Sequence, residues 1–243
     1  MEEVKKEKFG SRKSILKDLF KTNCISFISN IWVITCRNRI NSDKDTRYLI
    51  CIEGKISDES VKILLSHIKV SIPIINVCFD EESKKIDLVD LINQKKSILS
   101  YEEFKNAIIK RTCCKYIDSY AKGSTESTPL SRFFRENMGK GFALTDIDFF
   151  ITSKKLFFEE KNFIKNNEGY LGIGQCISMQ EIINDIFNDI TLKIVCIDNN
   201  NFYLSDVQGI DCYNTKVIEG WGKMVVFKLD KVSKEDFIKT LTD

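Results

Sequence analysis

Apolar and polar residues follow one another along this chain in two rhythms, one helical and one alternating. Ile15, Leu16, Leu19 and Phe20 recur at helical spacing among charged neighbours, which predicts an amphipathic helix within residues 1–22. Ile31–Cys36 and Arg47–Glu53 are rich in β-branched residues and read as strands. Ser57 is placed to cap a helix reaching about His67. Ile72–Phe79 reads as a further strand, and Leu88–Leu99 as a short helix. Residues 1–100 therefore predict an N-terminal α/β region.

The pattern continues beyond residue 100. Ser100 and Glu103 have the spacing of a capping box at the head of a helix over Tyr101–Tyr120. A polar break at Ser124–Pro129 precedes a short helix, Leu130–Met138. Two strands, Ala143–Thr152 and Lys155–Phe163, are joined by a tight connection at Ser153-Lys154. Gly169–Gly174 reads as a glycine-punctuated loop, Ser178–Asp189 as a helix and Leu192–Asp198 as a strand. Phe202–Ser205, Lys216–Glu219 and Lys223–Leu229 are shorter strands, and a last helix begins near Ser233.

Composition removes several chemistries. Among 243 residues there is a single histidine, His67, so sites rich in histidine are excluded. The nine cysteines include no pair at the two-to-four-residue gap of a zinc knuckle. Cys36, Cys51 and Cys196 lie inside apolar runs, where a thiol behaves as a small buried hydrophobe. The N-terminus has no apolar signal core, and no stretch reaches the roughly 18 to 20 apolar residues of a membrane span. These features predict a soluble chain in a reducing, cytoplasmic setting, without a membrane or a small-molecule cofactor. Chemistry here has to run on carboxylates, lysines or thiols.

The formal charge of +2 conceals a division: residues 104–144 carry a net +5 and residues 166–243 a net −5. A basic block beside carboxylates is a phosphate-binding footprint, although a solvated helix face gives the same count. Arg37 and Arg39 alternate on one strand face, and Trp221 stands between Gly220 and Gly222 as a turn aromatic or a base-stacking group. Gly169-x-x-Gly172-x-Gly174 runs in reverse of the dinucleotide fingerprint, and Lys140 lacks P-loop spacing.

The segment with the sharpest chemistry is Thr145-Asp146-Ile147-Asp148 followed by Leu156-Phe-Phe-Glu159-Glu160-Lys161. Strand alternation puts Asp146 and Asp148 on one face, opposite Ile147, Phe149 and Ile151. On the next strand Glu159 and Lys161 share a face with Phe157. Pairing across the tight turn sets a carboxylate of the first strand beside Glu159. Oxygen ligands suit Mg²⁺, and a neighbouring lysine favours hydroxide at the bound water. The structural alternative is a β-hairpin edged with solvated charges. Against it, these charges interrupt an apolar strand, and buried charges are costly unless paired or metal-bound.

This spacing resembles the D…(D/E)xK signature of the PD-(D/E)xK nucleases, which include restriction endonucleases, RecB-like exonucleases and Holliday-junction resolvases. Asp148, Glu159 and Lys161 carry the resemblance, which covers roughly residues 130–207 and lacks the family's proline before the Asp. It implies an α/β fold with an αβββαβ core on a mixed central sheet, forming a nuclease domain over 101–243. Residues 1–100 would then serve recognition or dimerisation. It further implies that Asp148 (or Asp146) and Glu159 bind Mg²⁺, with Mn²⁺ as substitute. The backbone carbonyl of Glu160 would join them, Lys161 would assist the water, and Glu136 would be the acidic residue of the first helix. Gln175 resembles the glutamine on the helix after the ExK strand in RecB-like members. DNA is the implied partner, an endonuclease the implied enzyme, and a homodimer the implied assembly. Two rivals stand beside this reading: a catalytically silent nuclease-like module binding nucleic acid or protein, and an RNA-directed nuclease on the same core.

Overall fold

A computed structural model of the chain describes residues 15–36, 47–112, 128–138, 142–161, 164–198 and 201–242. Lys140, Arg37, Arg39 and the part of the predicted helix beyond residue 112 lie outside these residues. The fold is mixed α/β, with six α-helices among the described residues: α1 (Ile15–Thr22), α2 (Asp58–Ser66), α3 (Tyr101–Thr112), α4 (Pro129–Asn137), α5 (Ile173–Ile186) and α6 (Lys234–Thr242).

Fourteen strands among the described residues form two sheets, the larger of ten strands. In chain order they are β1 (Phe27–Cys36), β2 (Tyr48–Glu53), β3 (Ile74–Asp80), β4 (Lys85–Asp90), β5 (Lys95–Ser100), β6 (Phe142–Ile151) and β7 (Leu156–Lys161). After β8 (Ile164–Lys165) and β9 (Glu168–Gly172) come β10 (Thr191–Asp198) and β11 (Asn201–Asp206). Last are β12 (Thr215–Ile218), β13 (Gly222–Lys228) and β14 (Asp230–Val232). The large sheet runs β14-β11-β10-β7-β6-β1-β2-β3-β4-β5, and a four-stranded sheet runs β12-β13-β9-β8. Strand β1 lies antiparallel to β6 from Phe27↔Ile151 to Cys36↔Phe142, so residues from both predicted regions share one sheet.

Side-chain alternation explains the layers. On β1, Ile31 and Val33 enter the core under α2 and α5, whereas Trp32 and Ile34 enter the core under α3 and α4. On β7, Phe157 joins the first of these cores and Phe158 joins a third, under α1 and α6. The large sheet is thus covered on both faces, which is why its central strands read as nearly continuous apolar runs.

Local signals place several helices as expected. Ser57 accepts the Ser60 N–H at the head of α2 (3.2 Å). The capping box forms at α3: Ser100 N–H donates to Glu103 (2.7 Å), and Glu103 N–H to the Ser100 hydroxyl (3.2 Å). Thr128 caps α4 ahead of Pro129.

Two expectations are corrected. The predicted helix Leu88–Leu99 is instead the end of β4, a turn and β5. Asp90 accepts the N–H groups of Ile92 (3.0 Å) and Asn93 (2.9 Å), a local turn that competes with the helix. The predicted loop Gly169–Gly174 is strand β9 and the first turn of α5, which begins five residues before Ser178. Gly169 is needed there, because a Cβ would sit 2.5 Å from the Phe227 ring on the paired strand β13.

Cys36, Cys51 and Cys196 are buried, as their apolar settings suggest. Cys176 and Cys212 form a disulfide, a pairing the cysteine spacings did not indicate. No helix of the described residues is long and apolar enough to cross a membrane.

Candidate metal centre

Strands β6 and β7 start as a tight antiparallel pair. Their ladder holds only Phe149↔Phe158, Phe150↔Phe157 and Ile151↔Leu156. Beyond Phe158, β7 keeps its partner on the other side, where Ile194↔Glu159, Val195↔Glu160 and Cys196↔Lys161 run parallel along β10. The two strands therefore part where the acidic residues sit. The gap is closed by one side chain: Glu160 N–H donates to Asp148 Oδ2 (2.7 Å) instead of to a β6 carbonyl.

The alternation predicted for β6 also changes here. Ile147 packs in the core under α5, whereas Phe149 and Ile151 pack in the core under α1 and α6, so the three do not share one face. The break is matched on β1, where Asn30 adopts a left-handed backbone (φ 56°) between Ser29↔Phe149 and Ile31↔Ile147. Asp148 sits at the step.

Carboxylate oxygens of Asp146, Asp148 and Glu159 all lie within 4.8 Å of one another. Glu159 is the most enclosed of them, at 1% exposure. Its Oε1 receives the Lys161 ammonium and the Gln175 Nε2–H (3.2 Å), while its Oε2 is buried with no hydrogen-bond partner among the described residues. Gln175 reaches this oxygen because α5 starts at Ile173, directly after β9. On the next turn of α5, Ser178 shares a hydrogen bond with Thr145 of β6 (2.7 Å).

The electrostatics follow from burial. Burial, reinforced by the Asp146 charge, pushes the Asp148 carboxyl up to about 7. Burial drives Glu159 well above the usual carboxylate range, against the pull of Lys161. For Lys161 burial acts downward, but the carboxylates of Glu159, Asp146 and Asp148 together outweigh it and hold the ammonium above its ordinary value. Three acids and one cation thus share a pocket that disfavours net negative charge.

A hard divalent cation fits this donor set. All available ligands are oxygens, and a buried carboxylate oxygen without a donor is the atom such an ion would satisfy. Two ligands of one Mg²⁺ lie no more than about 4.2 Å apart, so oxygens already within 4.8 Å of one another have to draw together around the ion.

Of the residues singled out in the sequence, Asp146, Asp148, Glu159, Lys161 and Gln175 come together. Glu160 contributes its backbone N–H to Asp148, and its side chain is not one of the three clustered carboxylates. Glu136 is not brought to the group: it is exposed on α4, where its charge acts on Tyr101. His67 takes no part, packing edge-on against Phe150 (6.3 Å between centroids). Asn30 and Trp32 were not anticipated. Trp32 stands opposite Asp146 across the β1–β6 ladder, with a buried indole N–H that has no partner among the described residues. Neither could be found from local spacing, since more than a hundred residues separate them from β6. Set against known proteins, the chain matches no family model, no curated protein and no solved structure.

Proposed function

We propose that this chain is a Mg²⁺-dependent DNA nuclease of the PD-(D/E)xK type, most simply an endonuclease, acting through Asp146, Asp148, Glu159 and Lys161. The observation that carries the reading is Glu159, whose buried Oε2 lacks a donor while Oε1 is held by Lys161 and Gln175. A solvated hairpin edge would not bury such an oxygen. The order α4–β6–β7–β8–β9–α5–β10 supports an αβββαβ-like core in which the two-residue β8 is an added strand, with β10 parallel to β7 after the α5 crossover. It departs from a single-sheet core in two respects: β8 and β9 belong to the smaller sheet, and β1 is the antiparallel neighbour of β6.

When bound, Mg²⁺ supplies positive charge for the phosphate oxygens and lowers the pKa of a coordinated water. Asp146, Asp148 and Glu159 would hold the ion. Lys161, anchored on Glu159, presents an ammonium beside the attacking water and favours its deprotonated form. Gln175 positions Glu159 by occupying the same oxygen as Lys161, which leaves Oε2 to the ion.

The test is cleavage of circular, linear, branched and single-stranded DNA in Mg²⁺, Mn²⁺ or EDTA. Metal-dependent cleavage is expected, and it should fall at least a hundredfold in Glu159→Gln and Lys161→Ala. Cleavage that survives both substitutions overturns the site. An inert protein that also fails to bind Mn²⁺ in calorimetry points to the silent module, and cleavage confined to RNA changes the substrate. Gel filtration with light scattering tests the expected homodimer.

A further inference from the structure

Three of the six large apolar side chains exposed among the described residues fall within positions 213–221: Tyr213, Val217 and Trp221. Val217 belongs to β12, the outer strand of the smaller sheet, and pairs with Lys223. Alternation puts both on the face that carries Val225 and Leu171 into the core under α5. The core ends before they do: Val225 is fully buried, whereas Val217 is 80% exposed and Lys223 is exposed. The hairpin therefore overhangs.

Its direction is set by the register. Met224 pairs with Gly172, the last residue of β9, so Gly222, Lys223 and the turn project past the point where α5 begins. That helix start carries Gln175, which is bonded to Glu159. The turn is fixed by its backbone: Gly220 (φ 76°) and Gly222 (φ 79°) take left-handed conformations on either side of Trp221, whose backbone N–H donates to the Ile218 carbonyl (3.0 Å). Trp221 is 56% exposed. Between residues 213 and 224 the charged groups are Lys216, Glu219 and Lys223, and Lys216 is engaged by Glu168 (2.8 Å).

We infer that the β12–β13 hairpin is a strand-holding arm of the candidate metal centre, on which an unpaired stretch of the substrate DNA lies with a base stacked on Trp221 and a phosphate near Lys223. An exposed aromatic flanked by an aliphatic side chain and a lysine is the chemistry of single-strand binding, in which every base offers a face to stack. The arm is continuous, through the β13–β9 pairing, with the start of α5 that carries Gln175 to Glu159. The inference rests on the nuclease reading.

The tryptophans make it measurable, because Trp32 is buried and Trp221 is not. Wild type in EDTA is titrated with a fluorescein-labelled oligo(dT) and with a duplex bearing a single-stranded tail, following anisotropy and tryptophan emission. Emission should be quenched on binding. Trp221→Ala should weaken oligo(dT) binding by about 5- to 150-fold, the range of one stacked base, and Val217→Ser by a few-fold. Both variants should keep the wild-type melting curve and Mn²⁺ affinity. Unchanged affinity and emission overturn the arm, as does a wild type that binds neither probe. A Trp221→Ala variant that binds oligo(dT) normally but changes the monomer–dimer balance also overturns it, assigning the hairpin to protein contact. The nuclease reading fails separately, if wild type neither cleaves with metal nor binds Mn²⁺.

Discussion

At the scale of single residues the candidate site sets three mutually opposed carboxylates beside the Lys161 ammonium. Asp148, with a folded value near 7, keeps a proton that the unfolded chain has already lost between about pH 4 and pH 7. Its contribution to stability is thus present at low pH and declines as pH rises through that window. Asp148→Asn should stabilise the metal-free protein by about 1–3 kcal/mol at pH 8 and have little effect at pH 4, read by urea unfolding. If the proposed site is right, excess Mg²⁺ should stabilise wild type and leave the same variant unmoved. Lys161→Ala should act in the opposite sense. It strips Glu159 of its counter-ion, costing about 2–4 kcal/mol at pH 8 and less as pH falls, because burial favours the protonated carboxyl. Metal binding by wild type should release protons, and its apparent affinity should rise with pH up to and beyond about 7, as calorimetry in two buffers would show. These residues were legible because Asp148, Glu159 and Lys161 speak through short spacings within adjoining strands. Glu136 was misplaced by the same logic, since nothing in its local sequence says which side of the sheet α4 covers.

At the scale of elements, caps and turns decided most of what could be read. Ser57, Ser100–Glu103 and Thr128–Pro129 each fix a helix start by bonds within four residues, so those starts are visible in sequence. The β4–β5 hairpin was hidden because Leu88, Leu91 and Ile92 mimic a helical stripe, while the deciding bonds come from the Asp90 side chain. The step at Asn30 is equally silent, because its reason lies across the ladder at Asp148. Asn30 is exposed, so substitution there reports on backbone conformation rather than packing. Asn30→Ala should cost about 1 kcal/mol and Asn30→Gly close to nothing, measured by chemical denaturation.

At the scale of the whole molecule, the mixed α/β class was legible from composition and rhythm, whereas the strand order was not. The sheet joins β1 to β6 and β7 to β10, pairings with no local signature. The Cys176–Cys212 disulfide was equally invisible, since it links α5 to the segment before β12 across 36 positions. Replacing both cysteines by serine should lower stability by about 2–4 kcal/mol, and reductant should do the same to wild type, both read as a shift in urea midpoint. Cleavage activity should survive, because neither sulfur touches the carboxylates.

The central pairing has a consequence for how the chain comes into being. During synthesis β1 leaves the ribosome more than a hundred residues ahead of β6 and must wait with one apolar edge uncovered. A fragment starting at residue 101 would keep every candidate ligand and still lack the neighbour against which β6 lies. The second half alone therefore lacks the β1 edge that flanks the candidate centre. The candidate centre is thus completed late, when the strand that bears Asp146 and Asp148 is laid against an edge supplied by the first hundred residues.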